Sequence, residues 1–291
     1  MSEESRLDAA EDLMERGDPV GAAKLCYGLL RSNDPALLVR VGKLLVRLED
    51  LASAKAAYRR SVTLNPRLAS AHSALGVVAF DEGNTAEAIQ HLKRAVELEP
   101  TDIDKLVMLG VFQTEDNSSA DEGLRLLEFV LTLDPDNSEA HYNIGVTLRN
   151  VDPGRAEHHF REAIKNDPEY VEALRELGYL LAGLNRFDEA EARFSAVDKM
   201  DPEDAWNLVY WGTARWQQGD AEGSRTYFER AAKSHPEWAL PLWSLGALEE
   251  EVGNFSKARS LYELAVSIDP DDEVARSKLD TFRSRYGDKP D

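Results

Sequence analysis

Few residues in this chain are of the types that perform chemistry. Of its six histidines, only His158 and His159 lie together, and neighbours on a helix point in different directions, so they make a poor ligand pair. His72 and His141 each stand four residues before a glycine, where other segments carry leucine, so they read as packing residues. His91 and His235 have no companion to pair with. Cys26 is the only cysteine, which excludes an internal disulfide and a thiolate cluster. It falls where a helix faces the interior and reads as a packing thiol, not a nucleophile. The sequence contains no GxxxxGK[ST], GxSxG, HExxH or GxGxxG. Paired carboxylates carry no information in a chain with 54 Asp and Glu. The expectation is a non-enzyme with no metal and no cofactor.

Charge narrows the partners. Lys and Arg number 34, giving a formal net charge of −20 shared equally between residues 1–145 and 146–291. Nucleic-acid binding depends on neutralising phosphates with cations, so it is excluded, and long-range steering favours a basic partner. The hydrophobic fraction of 43% is enough to build a core. The first 25 residues are rich in charge and lack an apolar signal-peptide core. Apolar runs such as Ala74–Phe80 fall far short of the ~20 residues a membrane span needs. A protein of the cytoplasm, not inserted in a membrane, is expected.

Two ladders show what must position any site. Glycines recur at Gly42, Gly76, Gly110, Gly145, Gly178, Gly212 and Gly246, and prolines at Pro66, Pro100, Pro135, Pro168, Pro202, Pro236 and Pro270. Eight of the twelve intervals are 34 residues, and each ladder has one of 35 and one of 33 that cancel, a period that marks an array of helical hairpins. Apolar residues precede each glycine at helical spacing, as in Leu174 and Leu177. A small residue stands twelve before each proline (Ala54, Ala88, Gly123, Ala156, Ala190, Ser224, Ala258). A large one stands eight before it (Tyr58, Leu92, Leu127, Phe160, Phe194, Phe228, Tyr262). Small residues allow two helices to approach, and the large ones fill the remaining gaps. Asp-Pro or Glu-Pro pairs close the second helix. Asp81–Asn84 and Leu184–Arg186 read as turns within hairpins.

The segments Ala71–Pro100 and Val171–Pro202 resemble the tetratricopeptide repeat (TPR) family most closely. That resemblance implies an all-α, right-handed superhelical solenoid of about eight repeats. Length alone would suggest about two domains, but the array implies a single one over 1–291. Its units are a degenerate repeat at 3–34, then 35–68, 69–102, 103–137, 138–170, 171–204, 205–238 and 239–272, with a capping helix at 273–286 and a frayed tail. Two units depart from the pattern. There is an extra residue around Thr114–Ser119, and one is missing before Asp152-Pro153-Gly154. Surface loop drift explains both; the alternative is a local change of superhelical pitch.

The resemblance also implies that first helices line a concave ligand groove. Positions three before, one after and four after each glycine share a stripe. On it, or on the same side, fall Tyr142, Arg149, Arg175, Tyr179, Trp206, Val209, Thr213, Trp216 and Trp243, whereas Trp211 reads as core. Tyr, Trp and Arg dominate binding hot spots, so these residues are the candidate partner site; the alternative is that the rings pad a tight inner curve. The clamp that TPR co-chaperones use for the terminal carboxylate of heat-shock chaperones is absent. Only Asn143 matches it, Val107 and Val111 replace Lys and Asn, and Glu172 and Glu176 replace Lys and Arg. At the other end Arg40, Lys43 and Arg47 form a basic stripe. It suits either an acidic peptide or, preferably, an internal ladder of Asp8 to Arg40, Glu11 to Lys43 and Glu15 to Arg47. The expected function is a scaffold or adaptor that binds a peptide or partner helix. A targeting or regulatory subunit of an enzyme assembly is the alternative, and an enzyme in its own right is disfavoured.

Overall fold

The computed structural model describes residues 2–116 and 118–287. Of the tail expected to fray, residues 287–291, Gly287 is described and residues 288–291 lie outside this range, as does Asn117 of the irregular turn. The described residues form seventeen α-helices and no strand. They fall into two compact units, Met1–Thr147 and Leu148–Asp291. The first holds α1 (Glu3–Glu15), α2 (Pro19–Leu29), α3 (Pro35–Arg47), α4 (Leu51–Leu64), α5 (Ala69–Asp81), α6 (Thr85–Leu98), α7 (Ile103–Glu115), α8 (Ala120–Leu133) and most of α9 (Ser138–Leu148). The second holds α10 (Pro153–Asn166), α11 (Val171–Gly183), α12 (Phe187–Met200), α13 (Ala205–Gln217), α14 (Ala221–Ser234), α15 (Ala239–Glu251), α16 (Phe255–Ile268) and α17 (Glu273–Tyr286).

Local chemistry sets these boundaries. Asp34, Asp50, Asn84, Asp102, Asp152, Asp204, Asp220 and Asp272 each accept a backbone N–H of the helix they precede, satisfying donors that lack a partner within the helix. Second helices stop because the residue before proline is driven out of helical conformation. Asn65 (φ −138°, ψ 90°), Asp134 (−137°, 89°) and Asp201 (−139°, 97°) are all extended. In six hairpins the chain turns between the helices through one left-handed residue. That residue is glycine at Gly17, Gly83, Gly219 and Gly253, but Glu49 and Asn185 occupy it elsewhere, both at φ 61°.

The glycine ladder is a close approach between helices. A Cβ built on Gly178 would lie 2.6 Å from Cε1 of Phe194, and one on Gly212 would lie 2.7 Å from Cε1 of Phe228. In the six hairpins that begin with α3, α5, α7, α11, α13 and α15, the large residue of the second helix therefore lies directly on the glycine of the first. Phe160, Phe194, Phe228 and Tyr262 are completely buried. In the irregular unit Leu127 still packs against Gly110, so the extra residue is taken up in the turn, where Ser118 and Ser119 both donate to the Asp116 carboxylate. First helices also lie against one another, α3 on α5 and α11 on α13. Their outward side chains thus share a face.

Candidate functional site

In the second unit, the face shared by α11 and α13 carries a chain of aromatic rings. Tyr179 stacks on Tyr210 with ring centroids 4.5 Å apart. Trp206 leans on Tyr210 at 5.8 Å and meets Trp238 edge to face at 4.8 Å. Tyr179 and Trp206 remain 40% and 45% exposed. Behind them Glu176, nearly buried, accepts from the Tyr210 hydroxyl at 3.3 Å and from the Arg149 guanidinium. Burial first, and then the Glu176 carboxylate, push the Tyr210 phenol up to about 12, so it stays a donor throughout the physiological range. Arg149 and Tyr179 line a cleft of about 320 Å³ with Pro153, Leu180 and Gln217. The arrangement offers flat apolar area and no reacting group.

The predicted residues divide. Arg149, Tyr179 and Trp206 belong to this face, and both predicted arginines are paired within the chain: Arg149 is held by Glu176, and Arg175 by Asp204 at 2.9 Å. Asp204 also caps α13, so Arg175 is part of the scaffold that orients the helix. Val209 is buried, and Thr213 folds its hydroxyl back onto the Val209 carbonyl at 2.8 Å. Trp216 is half-buried, its indole N–H donating to Glu251 at 2.7 Å, and Trp243 lies 5.8 Å beneath the Lys278 ammonium. Tyr142 is half-buried in α9 of the other compact unit. Trp211 is core, stacked on Tyr227 at 4.3 Å. Sequence reasoning missed Tyr210, Trp238 and Glu176. Trp238 stands two after its proline, where four units have an Asp or Asn and a tryptophan is conspicuous.

Comparison with known proteins places this architecture. Two family models, both described as tetratricopeptide repeat, match the chain, one at residues 41–103 and 211–273 and the other at 147–209. The chain belongs to the tetratricopeptide repeat family. A curated relative of the TPR chain is the type IV pilus assembly protein PilF of Pseudomonas aeruginosa. It is 26% identical over 54% of this chain and 62% of its own length, so the chain spans less than two thirds of it. Among solved structures, a tetratricopeptide repeat protein from Parabacteroides merdae superposes with a TM-score of 0.71 at 18% identity over 86% of this chain and 99% of its own. The structure of Pseudomonas aeruginosa PilF gives 0.63 at 18% identity over 75% and 97%. PilW, a type IV pilus biogenesis factor, gives 0.63 at 19% over 74% and 97%. At these identities the structures show the fold alone.

Elsewhere in the TPR chain, two expectations about pairing need correction. His91 has a companion: its Nδ1 lies 3.3 Å from Nδ1 of His72, whose Nε2 reaches the Pro66 carbonyl at 3.1 Å. His235 reaches the Glu203 carbonyl and the Glu237 carboxylate. The charge ladder converges on one rung, with Arg40 binding Glu4, Asp8 and Glu11 together. Among the described residues Lys43 and Arg47 make no ion pair, because both project to solvent. Cys26 is fully buried, and burial pushes its thiol up to about 11, which leaves it a packing group. Glu249 was not anticipated. It is completely buried in α15, where it accepts from Arg225 and Lys257 at 2.8 Å each and from Asn254 at 2.6 Å.

Proposed function

We propose that this TPR protein is a non-catalytic assembly scaffold whose second unit binds a partner protein on the α11–α13 face. One observation carries the reading: four aromatic rings, Tyr179, Tyr210, Trp206 and Trp238, touch in series on a surface whose arginines, Arg149 and Arg175, are already paired internally. Rings give large contact area at small conformational cost, and they dominate binding hot spots. The similarity to PilF, an assembly protein of the type IV pilus, supports a role in organising other proteins. The partner is a protein segment with apolar and basic character, in keeping with the acidic charge.

The test compares wild type with the double variant Tyr179→Ala, Tyr210→Ala, first capturing partners from the source cells and then measuring affinity for the purified partner. Truncating a hot-spot ring costs about 2 kcal/mol or more, so affinity should fall at least thirtyfold while helical circular dichroism is unchanged. Wild-type affinity in the double variant would show that the rings only pad the array.

A further inference from the structure

Where the α12–α13 turn meets the α14–α15 turn, the second unit opens a cleft of about 490 Å³, within the ~300–1,000 Å³ typical of ligand sites. Its walls are the indoles of Trp206 and Trp238, set edge to face. Its rim carries Asp201, Glu203 and Glu237, together with His235. Asp204, at its base, is already held by Arg175. Among the described residues no lysine or arginine lines the cleft, and no cation pairs with the Glu203 carboxylate. The turn is itself ordered: the Glu203 N–H donates to Asp201 at 2.9 Å, and His235 lies 3.1 Å from the Glu203 carbonyl. The backbone therefore fixes the Asp201 carboxylate in this turn, the Glu203 carboxylate has no internal cation, and Glu237 has only His235, at 3.5 Å.

Aromatic faces carry negative potential and attract cations. A guanidinium is the cation that suits both features, since it is flat enough to stack on an indole and forked enough to engage a carboxylate at two points. An ammonium is compact and strongly hydrated, and it uses only the carboxylates well. We infer that this cleft anchors an arginine side chain of the partner protein. The inference rests on the reading of this unit as a protein-binding surface and adds to it the residue that surface selects. The cleft lies at the turns between hairpins and takes in the last two rings of the series, so it fixes the register in which a partner segment lies along the rings.

The probe is N-acetyl-arginine methylamide, titrated into the full chain while the tryptophan indole N–H signals are followed by NMR. The indoles of Trp206 and Trp238 should shift, and that of buried Trp211 should not. The citrulline analogue, equal in shape but neutral, and the lysine analogue should bind several-fold more weakly. Exposed carboxylates contribute about 0.2–1 kcal/mol each to an ion pair, so Glu203→Gln with Glu237→Gln should weaken the arginine probe by about two- to thirtyfold. Both substitutions lie in exposed turn positions and keep the fold. Stationary Trp206 and Trp238 signals, or equal binding of the citrulline or lysine analogue, would overturn the assignment. If the cleft fails this test while Tyr179→Ala, Tyr210→Ala still loses the partner, the surface reading stands alone. If the probe binds as described and that double variant keeps its partner, the surface reading is the one that fails.

Discussion

Replacing Glu249 by glutamine removes one charge from the interior of the last hairpin. The carboxylate is completely buried and accepts from Arg225 on α14, from Lys257 on α16 and from Asn254 in the turn between α15 and α16. Burial alone would raise its pKa, but the hydrogen bonds from Arg225, Asn254 and Lys257 outweigh it and bring it down from 4.5 to about 2. Each unit of displacement corresponds to about 1.4 kcal/mol, which sets a ceiling of about 3 kcal/mol. Breaking one side of a fully buried pair costs about 3–5 kcal/mol. Here Arg225 and Lys257 keep 25% and 49% of their side-chain surface, and solvent offsets part of the loss. Glu249→Gln should therefore destabilise the protein by about 2 kcal/mol at pH 7. The sign with pH follows from the depressed pKa. The contribution is fully present above about pH 4.5, and it is lost as pH falls from there towards 2. Urea unfolding of both proteins at several pH values, followed by circular dichroism, measures the difference. A gap between them that is absent at pH 7, or that stays constant down to pH 3, would refute the reasoning.

Two further perturbations test the hairpin itself. Gly178→Ala puts a methyl 2.6 Å from the Phe194 ring; alanine's helix preference of about 1 kcal/mol opposes an overpacking cost of about 1–3 kcal/mol. Since the ring is itself fully buried and has no room to move away, a lowered thermal midpoint is expected, and a raised one would show that the helices separate readily. Glu49→Gly acts in the opposite direction. Glu49 sits at φ 61° in a turn where four other hairpins have glycine, and a non-glycine residue there costs about 1–2 kcal/mol, against about 1 kcal/mol for the added freedom of glycine in the unfolded chain. A small gain in urea midpoint is expected, and a loss would mean that the Glu49 side chain makes a compensating interaction.

The hairpin array was legible because its causes are local and repeated. A proline ends a helix wherever it stands, an Asp or Asn caps the next one, and a helix that must accept Phe194 or Tyr262 on its backbone needs glycine opposite. Each rule involves residues less than one repeat apart, and seven copies of the same spacing remove the ambiguity. Helical periodicity likewise put Tyr179 and Trp206 on an outward stripe and Trp211 in the core.

Pairing between repeats was decided only in three dimensions. Arg175 and Asp204 are 29 residues apart, Arg149 and Glu176 are 27, and Arg225 and Glu249 are 24. In a chain this rich in charge, the sequence offers each arginine many carboxylates, and small rotations of the side chain choose among them. That is why Arg40 gathers three acidic groups at once while Lys43 and Arg47 have none, and why two arginines expected to await a ligand are bound by their own chain. The ring series is of the same kind. Tyr210 stands one turn after Trp206 on α13, but only the packing of one hairpin on the next brings Trp238 to Trp206 and Tyr179 to Tyr210.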